Sequence, residues 1–235
     1  VVNAHRGELD AALECFVQAL SASEQTGNRF MMSNTLSNVA NIHDRRGDYD
    51  RSIEANERSL SIARELGDRT NVGIRLANIG VVLVNLGDYQ RALECFEQAL
   101  TLAELSDDRV GICFALTNTA EAQSGLGNFE EGLKSLERCR REIQDLDNPI
   151  SKLDVLLAST LLYLAIQQLN DMPRYLTTYV RDATSETWQE ILLREARRNA
   201  IECRDLSTAL EDMTIGLKAR FELVRMDIIE HDFDG

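Results

Sequence analysis

The chain has 235 residues, of which 27% are charged, 44% are hydrophobic, 6% are aromatic and only two are proline. Folds built from many short strands need more aromatic, β-branched and turn-forming residues, so this composition favours helices. The formal net charge of −14 disfavours binding to nucleic acid phosphates and to anionic membrane surfaces. No run approaches the roughly 18 apolar residues of a membrane span. We therefore expect neither a nucleic acid nor a membrane as a partner.

The acidic surface has two interpretations: it keeps the chain soluble, or it complements a basic partner. The cysteines are odd in number and widely spaced, which is typical of reduced thiols packed as small apolar groups in a cytoplasmic protein. They are Cys15, Cys95, Cys113, Cys139 and Cys203. The sequence begins with Val1 and has no signal-peptide pattern, so we interpret it as a fragment of a longer cytoplasmic protein.

A forty-residue repeat organises the first part of the chain. Residues 11–20 read AALECFVQAL, and residues 91–100 read RALECFEQAL. Glycines recur with this period, each followed by a polar and then a large apolar residue: Gly7, Gly47, Gly87 and Gly127. A second set of turn residues has the same period: Gly27-Asn28-Arg29, Gly67-Asp68-Arg69 and Asp107-Asp108-Arg109. Each unit is therefore predicted to contain two turns.

The segments between the turns have the apolar spacing of α-helices. In residues 72–86, apolar and small residues follow an i, i+3, i+4, i+7 pattern, and residues 89–105 do the same. Neither helix of a unit can bury its apolar side alone, so antiparallel pairs, helix A and then helix B, are expected to stack into one continuous core. Gly80 on a helix A predicts a close approach of the neighbouring helix.

These units resemble tetratricopeptide repeats (TPRs). The matching residues within 76–100 are Leu76, Ile79-Gly80, Gly87-Asp88-Tyr89, Ala92, Phe96 and Ala99. The forty-residue length and the Gly-Asp-Arg junction are similar to the repeats of kinesin light chains and of many bacterial signalling proteins. The resemblance implies an all-α, TPR-like α-solenoid, a right-handed superhelix of antiparallel helix pairs whose A helices line the concave surface.

The repeat pattern weakens after residue 146, so the predicted solenoid has three parts. Residues 1–146 form the regular array, a half repeat plus three repeats. Residues 147–205 hold a degenerate repeat, with an apolar helix over 151–169, and an A-type helix over 186–203. The next turn is expected at Arg204-Asp205-Leu206. Residues 206–235 form a long C-terminal helix and tail, whose apolar stripe predicts a homodimer or, as the competing outcome, a helix folded back into the groove.

The sequence contains no motif of a known catalytic or metal site. The three histidines, His5, His43 and His231, are far apart, and no H-E-x-x-H, G-x-S-x-G or C-x-x-C motif is present. His43 lies on the apolar stripe of its helix, so we interpret it as a packed residue. We therefore predict a protein that is not an enzyme, with no catalytic residues, no metal and no cofactor.

A stripe on the A helices is the candidate binding site. Asparagine recurs there at Asn38, Asn78 and Asn118, although asparagine is a weak helix former. Its amide complements a peptide unit, and the forty-residue TPR proteins that this chain resembles hold peptides with such asparagines. Apolar residues on the same stripe add a patch that is typical of a binding site. The candidate peptide-binding residues are Asn34, Asn38, Asn41, Arg45, Ile74, Asn78, Val81, Asn85, Phe114, Asn118 and Glu121.

Two interpretations of the asparagines stay open, since they either bind a ligand or bridge adjacent A helices. The leading functional prediction is a scaffold that binds a peptide or protein segment in its concave groove. The alternative is a sensory and dimerisation domain of a larger bacterial signalling protein, with a catalytic output domain outside this fragment. Residues 217–222 resemble the helix that leaves the TPR array in bacterial histidine kinases and diguanylate cyclases.

Overall fold

The structure is a computed structural model that describes residues 2–144 and 188–209 and six residues between them: Lys152, Val155, Leu156, Ala158, Ser159 and Leu162. The chain divides into two compact units, Val1–Ala115 and Leu116–Gly235. Across the described residues the secondary structure is helical and contains no strand, which confirms the predicted all-α class.

Between residues 2 and 143, the helices alternate with short turns. They are α1 (Val2–Gln25), α2 (Arg29–Arg45), α3 (Tyr49–Glu65), α4 (Arg69–Asn85), α5 (Tyr89–Leu105), α6 (Arg109–Gly125), α7 (Phe129–Ile143) and α8 (Trp188–Ala209). The six described residues between 152 and 162 are also helical. Each helix from α1 to α4 packs against the next one, and α2 also contacts α4. None of the helices in the described part is long and apolar enough to span a lipid bilayer.

Left-handed glycines end the helices of the array, as the glycine pattern predicts. Their φ angles are 68° at Gly27, 77° at Gly47, 68° at Gly67, 79° at Gly87 and 78° at Gly127. The backbone N–H of Gly87 donates to the carbonyl of Val84, and that of Asp88 donates to the carbonyl of Leu83, each at 2.9 Å. These bonds satisfy the last carbonyls of α4. No atom lies within 4 Å of a Cβ added at Gly87, so the backbone conformation rather than space requires glycine there.

One junction of the array is made without glycine. Asp107 stands where Gly27 and Gly67 stand in the earlier repeats, and its φ is 54°. The N–H of Asp108 still donates to the carbonyl of Ala103 at 2.9 Å, so the turn keeps the same form. Aspartate tolerates the left-handed conformation better than most residues but less well than glycine. The junction between α5 and α6 is therefore strained relative to the others.

Close packing inside a repeat depends on small residues of helix A. The ring of Phe96 on α5 covers Gly80 on α4, where an added Cβ would lie 2.5 Å from Cε1 of the ring. This confirms the close approach predicted from Gly80. Asn56 stands forty residues before Phe96, is only 1% exposed, and has no hydrogen-bond partner among the described residues for its side-chain nitrogen or oxygen. A buried amide without partners lowers stability.

A core in the second unit joins α6, α7 and α8. Its buried members are Ala120, Leu133, Leu136, Leu162 and Leu192. Gly132 brings α7 close to its neighbours, since an added Cβ would lie 3.3 Å from the carbonyl oxygen of Ala120 and 3.3 Å from a methyl carbon of Leu162. The described residues of the predicted helix over 151–169 thus contribute to a packed core.

Two predicted turns are wrong. The helix α1 continues through Gly7, because glycine permits the left-handed conformation of a turn but does not impose it. The helix α8 continues through Arg204-Asp205-Leu206 to Ala209, because this segment has no glycine to adopt the left-handed conformation. The C-terminal helix predicted from residue 206, and the dimer or the fold-back that depends on it, lies outside the described residues from residue 210 onward.

The strain at Asp107 predicts stability changes of opposite sign at two turns that each hold a left-handed residue. We expect Asp107→Gly to raise the free energy of unfolding by roughly 0.5–1 kcal/mol, because it relieves a left-handed aspartate. We expect Gly87→Ala to lower it by about 1 kcal/mol, because alanine there has space but an unfavourable φ. Urea denaturation measures both variants. Asp107→Asn serves as the control, because asparagine removes the charge and also tolerates the left-handed conformation. It should change the free energy of unfolding little.

The unpartnered amide in the core predicts a stabilising substitution. Asn56→Leu should raise the free energy of unfolding by roughly 1–3 kcal/mol, because it removes the desolvation penalty of two unbonded polar groups. Leucine is the residue found forty positions after Phe96, at Leu136, where it packs in a core with Ala120. A urea or thermal denaturation curve tests this. A variant less stable than the wild type would show that the site cannot accept leucine.

Candidate partner-binding site

The A-type helices α2, α4 and α6 present the predicted stripe at their surfaces. Its exposed members are Asn38, Asn41, Arg45, Ile74, Asn85, Phe114 and Glu121. Its half-buried members are Asn34, Asn78, Val81 and Asn118. Asn118 and Glu121 belong to the second unit, and the other members belong to the first unit.

A pocket of about 290 Å³ lies between α4, the end of α5 and the first turns of α6. It brings together three of the predicted residues, Ile74, Asn78 and Phe114. Ile74 is 44% exposed and Phe114 is 38% exposed, so both leave apolar surface open to solvent beside the pocket. The other large apolar side chains in the walls of the pocket are Leu102 and Val110.

The pocket is open because its walls contain many small residues, namely Gly73, Ala77, Ala99, Ala103 and Gly111. A Cβ added at Gly73 would lie 3.4 Å from Cβ of Leu102, so any larger residue there would narrow the pocket. At Gly111 an added Cβ would lie 2.6 Å from Oδ2 of Asp108. Asp108 caps α6 by accepting a hydrogen bond from the N–H of Gly111 at 3.0 Å. A larger residue at position 111 would therefore displace the side chain that caps the helix.

A row of hydrogen bonds joins α2 to α4 on the other side of α4. Arg75 Nη2 donates to Asn34 Oδ1 at 2.8 Å. Asn78 Nδ2 donates to Ser37 Oγ at 3.3 Å, and Asn85 Nδ2 donates to Asp44 Oδ1 at 2.9 Å. Each pair is 41 residues apart in sequence. We call these three pairs the α2/α4 seam.

Arg75 is the centre of a buried polar network. Its side chain reaches three helices, because Nε donates to Ser59 Oγ on α3 at 2.8 Å, and Nη2 donates to Asn34 on α2 and at 3.0 Å to Asn71 Oδ1 on its own helix. The residue is only 5% exposed. Burial lowers the pKa of the Arg75 guanidinium, and the negative charge of Asp68 partly offsets this effect. The neutral oxygens around the guanidinium satisfy its donors and tie the three helices together.

Hydrogen bonds from Asn71 lower the pKa of the Asp68 carboxyl group. The side-chain amide of Asn71 donates to Asp68 Oδ2 at 2.7 Å, and the backbone N–H of Asn71 donates to Oδ1 at 3.1 Å. These two hydrogen bonds are the largest causes of the lowered pKa, and Arg75 adds a smaller one. Asp68 therefore caps α4 in its ionised form and gives Asn71 the orientation that accepts from Arg75.

The structure does not join all of the predicted residues. Asn38, Asn41 and Arg45 are exposed on α2 and make no hydrogen bond or ion pair with other described residues. Asn34, Asn78 and Asn85 therefore bridge adjacent A helices, whereas the side-chain amides of Asn38 and Asn41 are open to solvent. Sequence reasoning missed Arg75, Ser37 and Asp44. One feature of the sequence could have indicated Arg75: it is a charged residue directly before Leu76 of the core. The equivalent residues in the other repeats are Thr35 and Ala115, which carry no charge.

A second cleft of about 590 Å³ lies between α3 and α5, above Leu76, Ile79 and Leu83 of α4. It contains none of the predicted stripe residues. Cys95 lies in this cleft, and burial raises the pKa of the Cys95 thiol. Among the other described cysteines, Cys113 and Cys139 are buried as predicted for packed thiols, whereas Cys15 is exposed on α1. His43 is buried, in agreement with its interpretation as a packed residue.

The family model of the tetratricopeptide repeat matches residues 1–65 and 73–141. A search of curated protein sequences found no match. Among solved structures, BtubC (BKLC) from P. vanneervenii is similar over 97% of this chain and 92% of its own length, with a TM-score of 0.59 and 15% identity.

Two further solved structures have a similar fold. A Podosopora anserina protein named for kinesin light chain, with nearly identical TPR-like repeats, is similar over 84% of this chain and 90% of its own length, with a TM-score of 0.60 and 15% identity. A Rap protein complexed with competence and sporulation factor is similar over 97% of this chain and 61% of its own length, with a TM-score of 0.64 and 15% identity. Similarity at this identity shows the fold alone.

The fold and the site define an all-α repeat protein whose A helices expose a mixed polar and apolar surface. The family match covers more than half of the sequence, and the helix pairs, the left-handed turns and the packing of Gly80 against Phe96 agree with it. The chain belongs to the tetratricopeptide repeat family.

The buried network predicts that Arg75 is required for stability. Arg75→Ala should lower the free energy of unfolding by roughly 2–4 kcal/mol, because it leaves three polar side chains without a donor. Arg75→Lys should also be destabilising, because an ammonium group cannot reproduce the planar array of donors. Chemical denaturation measures both variants against Arg64→Ala, an exposed arginine on α3. Equal stability of Arg75→Ala and Arg64→Ala would contradict the assigned role.

Proposed function

We propose that the chain is a protein–protein interaction module that binds a segment of a partner protein against α2, α4 and the first turns of α6. A large apolar side chain of the partner fills the pocket beside Ile74 and Phe114. The observation that carries the proposal is this pocket of about 290 Å³, which is open, apolar on its walls, and bordered by exposed apolar side chains.

The size of the pocket favours a side chain over a free small molecule. Sites for drug-sized ligands have volumes of roughly 300–1,000 Å³ and enclose most of the ligand. A volume at the lower limit of that range, open on one side, fits an anchoring residue of a longer chain. Such anchors in central pockets provide much of the binding energy at protein interfaces.

Polar groups at the rim suit the backbone of a bound segment. Asn78 lines the pocket on α4, and because its Nδ2 donates to Ser37, its Oδ1 is the end that accepts from a peptide N–H. Asn38 and Asn41 are exposed on α2 with open amides. A segment that places its side chain in the pocket thus has hydrogen-bonding partners for its main chain on the neighbouring helices.

The Rap protein supports the proposal by its fold, since its structure holds competence and sporulation factor. Binding rather than catalysis is proposed, and no catalytic residue is assigned. Within the described ranges, no three His, Cys, Asp or Glu side chains lie together as metal ligands would. The basic partner, the homodimer, the cytoplasmic location and a role in signalling stay predictions of the sequence.

The pocket predicts which substitutions weaken binding. A peptide selected on the wild-type protein from a displayed random library serves as the probe, and calorimetry measures its affinity. Ile74→Ala should weaken binding by roughly 1–2 kcal/mol, because it removes apolar contact with the anchor. Asn78→Ala should weaken it by a similar amount, about 1–2 kcal/mol, because a peptide group loses its partner.

Two controls make this experiment decisive. Leu105→Ala truncates an apolar side chain that is 70% exposed and does not line the pocket, so it should leave the affinity unchanged. Urea denaturation of each variant separates binding from folding. If Asn78→Ala lowers stability while the affinity holds, Asn78 is only a bridge. If Ile74→Ala and Leu105→Ala bind the peptide equally well, the pocket is not the site.

A further inference from the structure

The α2/α4 seam determines which end of each amide faces the solvent. An asparagine side chain has an oxygen that accepts and an NH₂ group that donates, and a free side chain can turn either end outward. In the seam, one end is held by a neighbour on the other helix. The opposite end is therefore the one available to a ligand.

The chemistry of the neighbours makes this orientation unambiguous at both ends of the seam. A guanidinium group has no acceptor, so Asn34 must turn its Oδ1 toward Arg75, at 2.8 Å. A carboxylate only accepts, so Asn85 must turn its Nδ2 toward Asp44, at 2.9 Å. These bonds leave the NH₂ group of the half-buried Asn34 and the Oδ1 of the exposed Asn85 as the ends that a ligand can use.

The distance between these two groups matches a short extended peptide. Arg75, at the level of Asn34, and Asn85 are ten residues apart on α4, which corresponds to about 15 Å along the helix axis. An extended chain rises about 3.3 Å per residue, so it covers this distance in roughly four to five residues. A segment lying along the seam meets a donor near one end and an acceptor near the other.

The position of Asp44 is not explained by helix stability. Asp44 lies in the last turn of α2, where the negative end of the helix dipole disfavours a carboxylate. The residues at the equivalent position in the next repeats are Val84 and Ser124, which carry no charge. Among the described side chains, Asp44 forms one hydrogen bond, in which its Oδ1 accepts from Asn85. Its interaction is thus with an exposed amide of the binding face.

We propose that Asp44 and Arg75 are positioning residues that fix the hydrogen-bond polarity of this face. Asp44 holds Asn85 so that its Oδ1 accepts from a backbone N–H of an extended partner segment. Arg75 holds Asn34 so that its NH₂ group donates to a backbone carbonyl of the same segment. The proposal rests on the proposed function, because it requires that a partner segment lies along α2 and α4.

Asp44 allows a test without loss of the fold. The variants are Asp44→Ala, Asn85→Ala and the double variant, and the matched control is Glu54→Ala, which removes an exposed carboxylate of α3. The probe is the same library-selected peptide, together with a series of its derivatives that are N-methylated at one backbone position each. N-methylation removes one N–H donor and leaves the side chain in place.

We expect Asp44→Ala and Asn85→Ala each to weaken binding of the peptide, Asn85→Ala by roughly tenfold, which is about 1.4 kcal/mol. The double variant should bind no more weakly than Asn85→Ala, because Asp44 acts through Asn85. One N-methylated derivative should bind the wild type about tenfold more weakly and should bind Asn85→Ala as well as the unmodified peptide does. The stability of Asp44→Ala should be equal to or above that of the wild type.

Additive effects of Asp44→Ala and Asn85→Ala would overturn the proposal, and so would an identical N-methylation profile in the wild type and in Asn85→Ala. These outcomes differ from a failure of the proposed function. In that case, Ile74→Ala would leave the affinity unchanged. If Ile74→Ala weakens binding while both seam variants bind like Glu54→Ala, the pocket stands and the positioning role of the seam is wrong.

Discussion

A fixed length of helix and turn is the constraint on which the rest of the structure depends. Each helix from α2 to α6 has 17 residues, and each turn between them has three residues. Residues forty apart therefore lie at the same level of successive helix pairs, and cross-helix bonds join residues 41 apart. One left-handed residue in each turn reverses the chain without extra length, so a single longer turn would displace the subsequent pairings along the array.

The regular register gives α4 two different neighbours. Toward α2 it presents Arg75, Asn78 and Asn85, which meet polar side chains, and the two helices are joined by hydrogen bonds. Toward α5 and α6 it presents Gly73, Ile74 and Ala77, which leave a pocket. One helix therefore provides both the rigid side of the site and its open side. Rigid support of this kind reduces the entropy that a face loses when it binds a partner.

The sequence predicted the repeat, the helix pairs and most turns because these depend on local rules. Glycines at a fixed period mark left-handed positions, and apolar spacing marks helix faces. Gly7 was misinterpreted because it fits the same local pattern as the glycines that end helices, although it lies within α1. Arg75 was overlooked because its position depends on which polar atoms three helices bring together. Asn56 was overlooked for the same reason, since burial without a partner is a property of the packed core.

The strained junction at Asp107 also affects how the site opens. In a stack of repeats, stability is close to a sum of terms for each repeat and each junction, as in a one-dimensional lattice model. The junction between α5 and α6 has a weaker term than the described turns that hold a left-handed glycine, because its left-handed position is held by aspartate. Ser106 and Asp108, on either side of Asp107, line the pocket, so partial opening there disrupts the pocket before it disrupts α2 to α4. A side chain bound in the pocket would favour the closed junction by mass action, and the partner would then hold α5 and α6 together.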